Sequence, residues 1–231
     1  MTQAAAKLAA AEAALGRVED GMRVGLGTGT TAAAFIERLA EAVADGLAVS
    51  GVPTSVETER LARDHDIPLT PLETADRVDL AVDGADQVTP TGGLIKGGGG
   101  AVLRERLVAD MAEQFIVIAD ATKQATVLDH PVPVVIAPVA RARVRRRLQE
   151  VGAATTLRAA GARVGPTLTD DHAMIIDADF GAIDDPLRCA ATIGAIEGVL
   201  AHGLWPELCD LLIIADGAGA VTETALGGSG Q

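Results

Sequence analysis

Apolar segments that each end in a glycine or aspartate turn constrain the fold of this chain more than any other feature. They read MRVGLG, VDLAVDGAD, FIVIAD and DLLIIADGAG. Stretches of helical composition, such as TAAAFIERLAEAVADG, alternate with the first three of them. Because strands that alternate with helices form βαβ units, this order is typical of a parallel sheet. The sequence therefore predicts an α/β fold with a mainly parallel, doubly wound sheet.

The pattern changes after residue 129. Here the chain reads PVPVVIAP, then the arginine-rich helix VARARVRRRLQEVG, then the strand-like segments HAMIIDADF and IEGVLAHGL. This composition indicates a smaller α+β unit, whereas DLLIIADGAG returns to the apolar strands of the first sheet. We therefore predict an α/β domain over residues 1–129 plus 206–231, with an α+β domain inserted over 130–205.

Composition excludes several kinds of partner. The net charge of −13 would repel nucleic acid, and no stretch reaches the roughly 20 apolar residues that span a bilayer. Cys189 and Cys209 lack the spacing of metal ligands, and one disulfide would be a poor framework for a chain of this length. We expect a cytoplasmic protein without a secretory leader, a membrane partner or a nucleic-acid partner.

The segment GLGTGTT lies between a predicted strand and a predicted helix. Backbone N–H groups at the helix N-terminus and the hydroxyls of three threonines would face one point, which favours a phosphate. Gly27, Gly29 and Ala32 also fit the G-x-G-x-x-A pattern of dinucleotide folds. That alternative needs an acid about 20 residues later, where this chain reads AVSGVPT. A tight turn without a ligand remains a third interpretation.

Asp83 and Asp86 follow the apolar strand VDLAV. They would lie at the carboxyl end of a sheet strand, where open α/β sheets bind ligands. The other interpretation is an aspartate turn that caps the backbone. No histidine or third acid clusters with them to complete a metal site, and so we expect no metal.

The segment LIKGGGGAVLRE is the most specific feature of the chain. Four glycines allow close approach of several N–H groups to a developing oxyanion, and Lys96 adds a full positive charge. Glu105 would lie near the start of the next helix, where the macrodipole favours a carboxylate. It is a candidate general base, or else a solvated residue paired with Arg104 or Arg106. Lys123 follows FIVIAD at another strand end and could reach the same crevice, or be an ordinary loop lysine.

Four segments together resemble ribose-5-phosphate isomerase of the A type, in the same order along the chain. They are GLGTGTTAAAFI, VDLAVDGADQ, LIKGGGGAVLRE, and ATKQATVL followed by PVPVVIAP. The resemblance implies interconversion of ribose 5-phosphate and ribulose 5-phosphate in the pentose phosphate pathway, without metal or organic cofactor, by a homodimer or homotetramer. Gln87 replaces an acid that is usual in the family, and DDHAMIID departs from its usual pattern.

The resemblance also implies individual roles. Glu105 would be the general base, and Asp83, Asp86 and Lys96 would be further catalytic residues. The substrate would contact Lys7, Thr28, Gly29, Thr30, Thr31, Gly84, Ala85, Gly97, Gly98, Gly99 and Lys123. From its position in the alanine-rich first helix alone, Lys7 reads as a surface lysine.

Two other functions fit parts of the pattern. Sheet folds of this kind occur in non-catalytic phosphosugar sensors, and a coenzyme A transferase would use a glutamate as nucleophile. No helix-turn-helix precedes residue 20, and an acid at position 105 is required only by a catalyst. Both features favour the isomerase.

The chain has 32 acidic residues but only three lysines, a composition that resembles proteins from a high-salt cytoplasm. The alternative is a merely acidic protein from a high-GC genome. Salt screens the repulsion among carboxylates. We expect the midpoint of thermal unfolding, followed by circular dichroism, to rise from low salt to molar KCl. An unchanged midpoint would favour the merely acidic protein.

Overall fold

The structure is a computed structural model that describes residues 2–159 and 165–227. Its helices are α1 (Gln3–Leu15), α2 (Thr30–Ala44), α3 (Val56–Asp64), α4 (Val102–Met111), α5 (Arg141–Glu150) and α6 (Pro186–Gly194). Its strands are β1 (Arg23–Leu26), β2 (Ser50–Pro53), β3 (Val78–Asp83), β4 (Gln87–Val88), β5 (Leu94–Ile95), β6 (Ala112–Asp120), β7 (Val132–Ile136), β8 (Ala154–Leu157), β9 (Met174–Asp179), β10 (Val199–His202), β11 (Leu204–Trp205), β12 (Leu211–Ala215) and β13 (Val221–Ala225).

The described chain divides into two compact units that interleave along the sequence. The first contains the residues up to Ala85, Arg104–Gln124 and the residues from Glu207 on. The second contains Asp86–Leu103 and Ala125–Pro206. The α/β domain predicted from the sequence, which corresponds to the first unit, includes residues 86–103. They group with the second because β4 and β5 form a small sheet with β11.

The first unit is built on a six-stranded sheet with the order β13-β12-β6-β3-β1-β2. All neighbouring strands are parallel except β12 and β13. Strands β6 and β12 read as continuous apolar runs because strands of a parallel sheet are covered on both faces. Helix α2 buries Phe35, Ile36 and Leu39 along one stripe. These findings confirm the predicted α/β fold with a mainly parallel sheet, and place DLLIIA in it.

Parallel pairing brings the carboxyl ends of β1, β3 and β6 to one edge of this sheet. Leu26 pairs with Val82, and Asp83 pairs with Val117. The turns that follow these three strands therefore begin side by side. Candidate residues predicted from the sequence lie in each of these turns.

The second unit contains a four-stranded antiparallel sheet with the order β10-β7-β9-β8. Helices α5 and α6 contribute Val144, Leu148 and Ile193 to its apolar core, together with Ile136 of β7 and Ile176 of β9.

Three details differ from the sequence-based expectations. Residues 67–69, with the sequence IPL, have the composition of a short strand but form only a single bridge, between Leu69 and Gly51. Strands β8 and β13 were not predicted, since β8 buries none of its residues fully and β13 is a polar edge strand, VTETA. Among the described helices, none combines the length and the apolar character needed to cross a membrane.

Candidate active site

The loop between β1 and α2 combines a helix N-terminus with an ammonium group. Gly29 adopts φ 109, a conformation that favours glycine, and α2 begins at the next residue. Lys7 Nζ donates a hydrogen bond to Thr30 Oγ1 at 2.8 Å. Lys7 is therefore located beside the loop, although its helix alone indicates only a surface position. Exposed N–H groups and a cation at one point form an anion-binding arrangement.

Thr28 is held differently from Thr30. Its hydroxyl lies 2.8 Å from Thr54 Oγ1 and 2.9 Å from Ser55 Oγ, and Thr58 Oγ1 is 3.2 Å away. The sequence suggested that the three hydroxyls of GLGTGTT face one point. The contacts of Thr28 show that they do not all do so. The Thr28 side chain instead anchors the loop to the end of β2, where a dinucleotide fold would need an acid.

Asp83 connects the first two strand ends. Its buried carboxylate accepts hydrogen bonds from Thr28 N at 3.2 Å and from Gly84 N at 2.7 Å. A Cβ added at Gly27 would overlap this carboxylate. Gly84 in turn lies beside Thr31, since a Cβ at position 84 would be 3.6 Å from Thr31 Cβ. Asp83 thus caps the backbone, as one interpretation of DGAD predicted. The same carboxylate also joins the two predicted binding loops.

Asp120 plays a corresponding part at the end of β6, and sequence reasoning missed it. One carboxylate oxygen accepts from the backbone N–H of Thr122 at 3.0 Å and from its hydroxyl, and the other accepts from Gln3 Nε2 at 3.0 Å. Asp120 thereby links α1, which carries Lys7, to the turn that carries Lys123. Its strand-end position, equivalent to that of Asp83, was the available signal.

The ionisation of Asp120 depends on opposing effects. Burial raises its pKa, but hydrogen bonds from Thr122 and Gln3 and the charge of Lys123 outweigh burial and lower the pKa below its ordinary value. The carboxylate is therefore charged at neutral pH and accepts all three hydrogen bonds.

Glu105 lies in the first turn of α4 and is only 3% exposed. This excludes a solvated position, which was one part of its alternative interpretation. Arg106, one of the two suggested partners, directs its guanidinium to Asp110 at 2.9 Å. Burial of a carboxylate is costly, which points to a function at this position.

In the second unit, Lys96 follows β5 and is 2% exposed. Its backbone N–H donates to Gly203 O at 2.9 Å. Its Nζ lies 5.3 Å from the centre of the Trp205 ring, within the range of a cation–π interaction. The Trp205 indole N–H donates to His202 O at 2.8 Å, which fixes the ring. The ammonium position is thus defined by packing.

The glycine loop after Lys96 is shaped by residues outside it. Gly97 adopts φ 99 and Gly100 adopts φ 85. Asp86 Oδ2 accepts from Gly98 N at 2.7 Å, and a Cβ at Gly98 would overlap the Asp86 carboxylate. Arg158, which belongs to none of the motifs in the sequence, donates to the carbonyl groups of Gly97 and Gly98.

The two units hold different parts of the predicted set. The first contains Lys7, Thr28, Gly29, Thr30, Thr31, Asp83, Gly84, Ala85, Glu105 and Lys123, and the second contains Asp86, Lys96, Gly97, Gly98 and Gly99. Over residues 2–159 and 165–227, no group of three or more His, Cys, Asp or Glu side chains is arranged to hold a metal ion.

Gly27→Ala tests the packing of the two loops in the first unit. Because a methyl group would overlap Asp83, we expect the free energy of unfolding in urea to fall by about 1–3 kcal/mol. The control is Gly16→Ala, where φ is −61° and the nearest atom is 3.4 Å away, and where alanine should leave stability unchanged or raise it. Equal midpoints for the two variants would contradict the packing described.

Known proteins are similar to this chain over most of its length. The family model of ribose 5-phosphate isomerase A (phosphoriboisomerase A) matches residues 50–219. A ribose-5-phosphate isomerase A from Haloarcula marismortui is 46% identical, covering 95% of this chain and 96% of that protein.

Two solved structures share the whole fold. A D-ribose-5-phosphate isomerase in complex with phospho-erythronic acid superposes with a TM-score of 0.93 at 38% identity, covering 97% of this chain and all of that one. A ribose 5-phosphate isomerase A from Methanocaldococcus jannaschii gives 0.90 at 38% identity, covering 95% and 97%. The resemblance seen in the sequence is confirmed, and the chain belongs to the ribose 5-phosphate isomerase A family.

Proposed function

We propose that Glu105 is the general base with which this chain interconverts ribose 5-phosphate and ribulose 5-phosphate. The overall activity follows from family membership: the chain is an aldose–ketose isomerase of the pentose phosphate pathway. The observation that carries the choice of base is the burial of a carboxylate in the first turn of α4.

The chemistry requires a base and a means to stabilise negative charge. After ring opening, the C2 proton of the aldose is acidic because the neighbouring C1 carbonyl can accept charge. Glu105 removes this proton and returns it to C1, and an enediolate is formed between the two steps. Asp83 and Asp86 assist ring opening and move protons between O1 and O2.

The resemblance assigned oxyanion stabilisation to Lys96 and to the N–H groups of Gly97 to Gly99, and in this proposal Lys96 and the N–H groups of Gly97 and Gly99 perform it. Support comes from the burial of Lys96 and from its fixed position over Trp205, since a preorganised charge in a dry site acts strongly on a developing anion. The Gly98 N–H donates to Asp86 in the structure. Its part is therefore to keep Asp86 beside the glycine loop, where that carboxylate can exchange protons with the substrate.

The phosphate group is assigned to the N-terminus of α2, with Thr28 to Thr31, Lys7 and Lys123. The contact of Lys7 with Thr30 supports this, as does the link that Asp120 makes between α1 and the Lys123 turn. Binding energy from a remote phosphate can position the reacting carbons. A relative at 38% identity was solved with phospho-erythronic acid, and we propose that the same class of ligand, a phosphorylated sugar acid, binds here.

Cofactor, assembly and location are also proposals. The residues named above supply the base and the positive charge, and so the reaction needs no metal or organic cofactor. A homodimer or homotetramer rests on the resemblance to the family. A cytoplasmic location is supported by Cys189 and Cys209, which form no disulfide with each other. The non-catalytic sensor has no support from the comparisons, since the matched family is one of enzymes.

Glu105→Gln tests the base. Removal of one positioned general base costs about 100- to 10,000-fold in rate. We therefore expect kcat of Glu105→Gln to fall by at least about 100-fold while the substrate still binds. The assay follows ketose formation from ribose 5-phosphate after EDTA treatment, and deuterium uptake at C1 from heavy water. Glu113→Gln, at an exposed position, is the control. Near-wild-type turnover in Glu105→Gln would remove Glu105 from its proposed role.

Lys123→Ala tests the phosphate contact. Because the lysine is proposed to act on the non-reacting end of the substrate, KM for ribose 5-phosphate should rise while kcat changes little. Lys123→Arg keeps the charge and should raise KM less. An unchanged KM in Lys123→Ala would argue against the contact. Steady-state kinetics at constant ionic strength separates the two parameters.

A further inference from the structure

Arg158 joins the antiparallel sheet of the second unit to its glycine loop. It directly follows β8, and its backbone N–H donates to Ile175 O at 2.9 Å. Its Nη1 donates to Gly97 O at 2.8 Å and to Gly98 O at 3.2 Å. Its Nε donates to Asp177 Oδ2 at 3.0 Å, and its Nη2 forms an ion pair with the other oxygen of Asp177. One guanidinium therefore bonds two loop carbonyls and one carboxylate.

We propose that Arg158, oriented by Asp177, is a positioning residue for the isomerisation. It fixes the two peptide groups between Gly97 and Gly99 so that their N–H groups face away from the arginine. The Gly98 N–H then donates to Asp86, and the Gly99 N–H faces the developing oxyanion. This inference rests on the proposed role of the glycine loop. Neither Arg158 nor Asp177 touches the reacting atoms in it.

The direction of these N–H groups follows from the geometry of the peptide bond. A trans peptide is planar, and its C=O and N–H groups point in opposite directions. The Gly97 carbonyl shares a peptide with the Gly98 N–H, and the Gly98 carbonyl shares one with the Gly99 N–H. An arginine on the carbonyl side therefore directs both N–H groups to the other side. For the first peptide, this direction is visible, because the Gly98 N–H meets Asp86 Oδ2 at 2.7 Å.

The loop needs such support because glycine has the largest conformational freedom of any residue. Gly98 and Gly99 are exposed and have no side chains to pack. One bond within the loop, from Gly100 N to Gly97 O at 3.0 Å, closes a single turn. Donors that must reorganise during the reaction contribute little, whereas preorganised ones contribute most. A cation at the carbonyl oxygens also polarises the peptides and strengthens their N–H groups as donors.

Asp177 makes the arginine a rigid support. It belongs to β9, which lies between β7 and β8 in the sheet. Both of its oxygens engage the guanidinium, the bidentate geometry that fixes the plane of an arginine best. The side chains of Arg158 and Asp177 are 19% and 25% exposed. The pair is thus shielded from most of the solvent.

The test uses Arg158→Lys and Asp177→Asn in the full chain. Lysine keeps the charge but cannot bond two carbonyls and a carboxylate with one planar group, and Asp177→Asn removes the support while keeping Arg158. We expect kcat to fall by about 10- to 100-fold in each, less than the roughly 100- to 1,000-fold for loss of an oxyanion donor itself. KM should stay within about twofold, because a uniform loss of binding would instead raise KM.

Hydrogen exchange separates positioning from general destabilisation. In both variants, exchange should quicken in the peptide containing Gly97 to Gly100 and stay unchanged in β7 and β9. Arg147→Lys is the matched control, since Arg147 forms an exposed ion pair with Glu150 at 2.6 Å in the same unit. It should change neither kcat nor exchange in the loop.

The outcomes distinguish this inference from the proposed function. Unchanged kcat in Arg158→Lys and Asp177→Asn would overturn the positioning role, whether or not exchange in the loop quickens. A rise in KM alone would overturn it as well. Inactivity of Glu105→Gln would still support the base in each of these cases. Near-wild-type turnover in Glu105→Gln would instead count against Glu105 as the base. The measurements on Arg158→Lys and Asp177→Asn would still decide the positioning role.

Discussion

The buried carboxylate of Asp83 is the interaction on which the candidate loops of the first unit depend. It accepts N–H groups from the loop after β1 and from the turn after β3. Burying a carboxylate is costly unless hydrogen bonds compensate it, and these two bonds exist only while both loops keep their shape. Gly27 is required because any side chain there would occupy the carboxylate's position. Parallel pairing of β1 with β3 provides the short distance.

The same arrangement recurs where a loop must be held at a strand end. Asp120 binds the turn after β6 and the start of α1, and Asp86 binds the glycine loop of the second unit. For Asp120, the pKa is lowered in the folded state by bonds from Thr122 and Gln3 that outweigh burial. A lowered pKa stabilises the fold above the unfolded-state pKa, and this contribution is lost as pH falls through the folded-state pKa. The fixing of this turn is thus strongest at neutral pH.

The features that could be predicted from the sequence are those that a local pattern of residues determines. Apolar runs ending in Asp or Gly gave the sheet and its carboxyl edge, and they brought Asp83 and Lys123 to notice. The sequence could not predict contacts that join distant segments, such as Arg158 with Gly98, which are 60 residues apart. Nor could it predict Lys7 beside Thr30, since an alanine-rich helix gives no preferred face for one lysine. The roles of the individual residues in the chemistry remain predictions.

The loop after β1 in the first unit and the glycine loop in the second unit are held in shape by different means. The loop after β1 continues directly into α2, whose first turn orients its N–H groups. The glycine loop reaches α4 only at Val102, and so its peptides are fixed by charges. The peptide between Gly97 and Gly98 has a cation at its oxygen and the Asp86 carboxylate at its N–H, which is the favourable alignment of a dipole. The next peptide has the same cation at its oxygen. In the proposed reaction, the substrate oxyanion accepts a hydrogen bond from the N–H of this second peptide, which belongs to Gly99. It thus takes the position that Asp86 holds at the N–H of the first peptide.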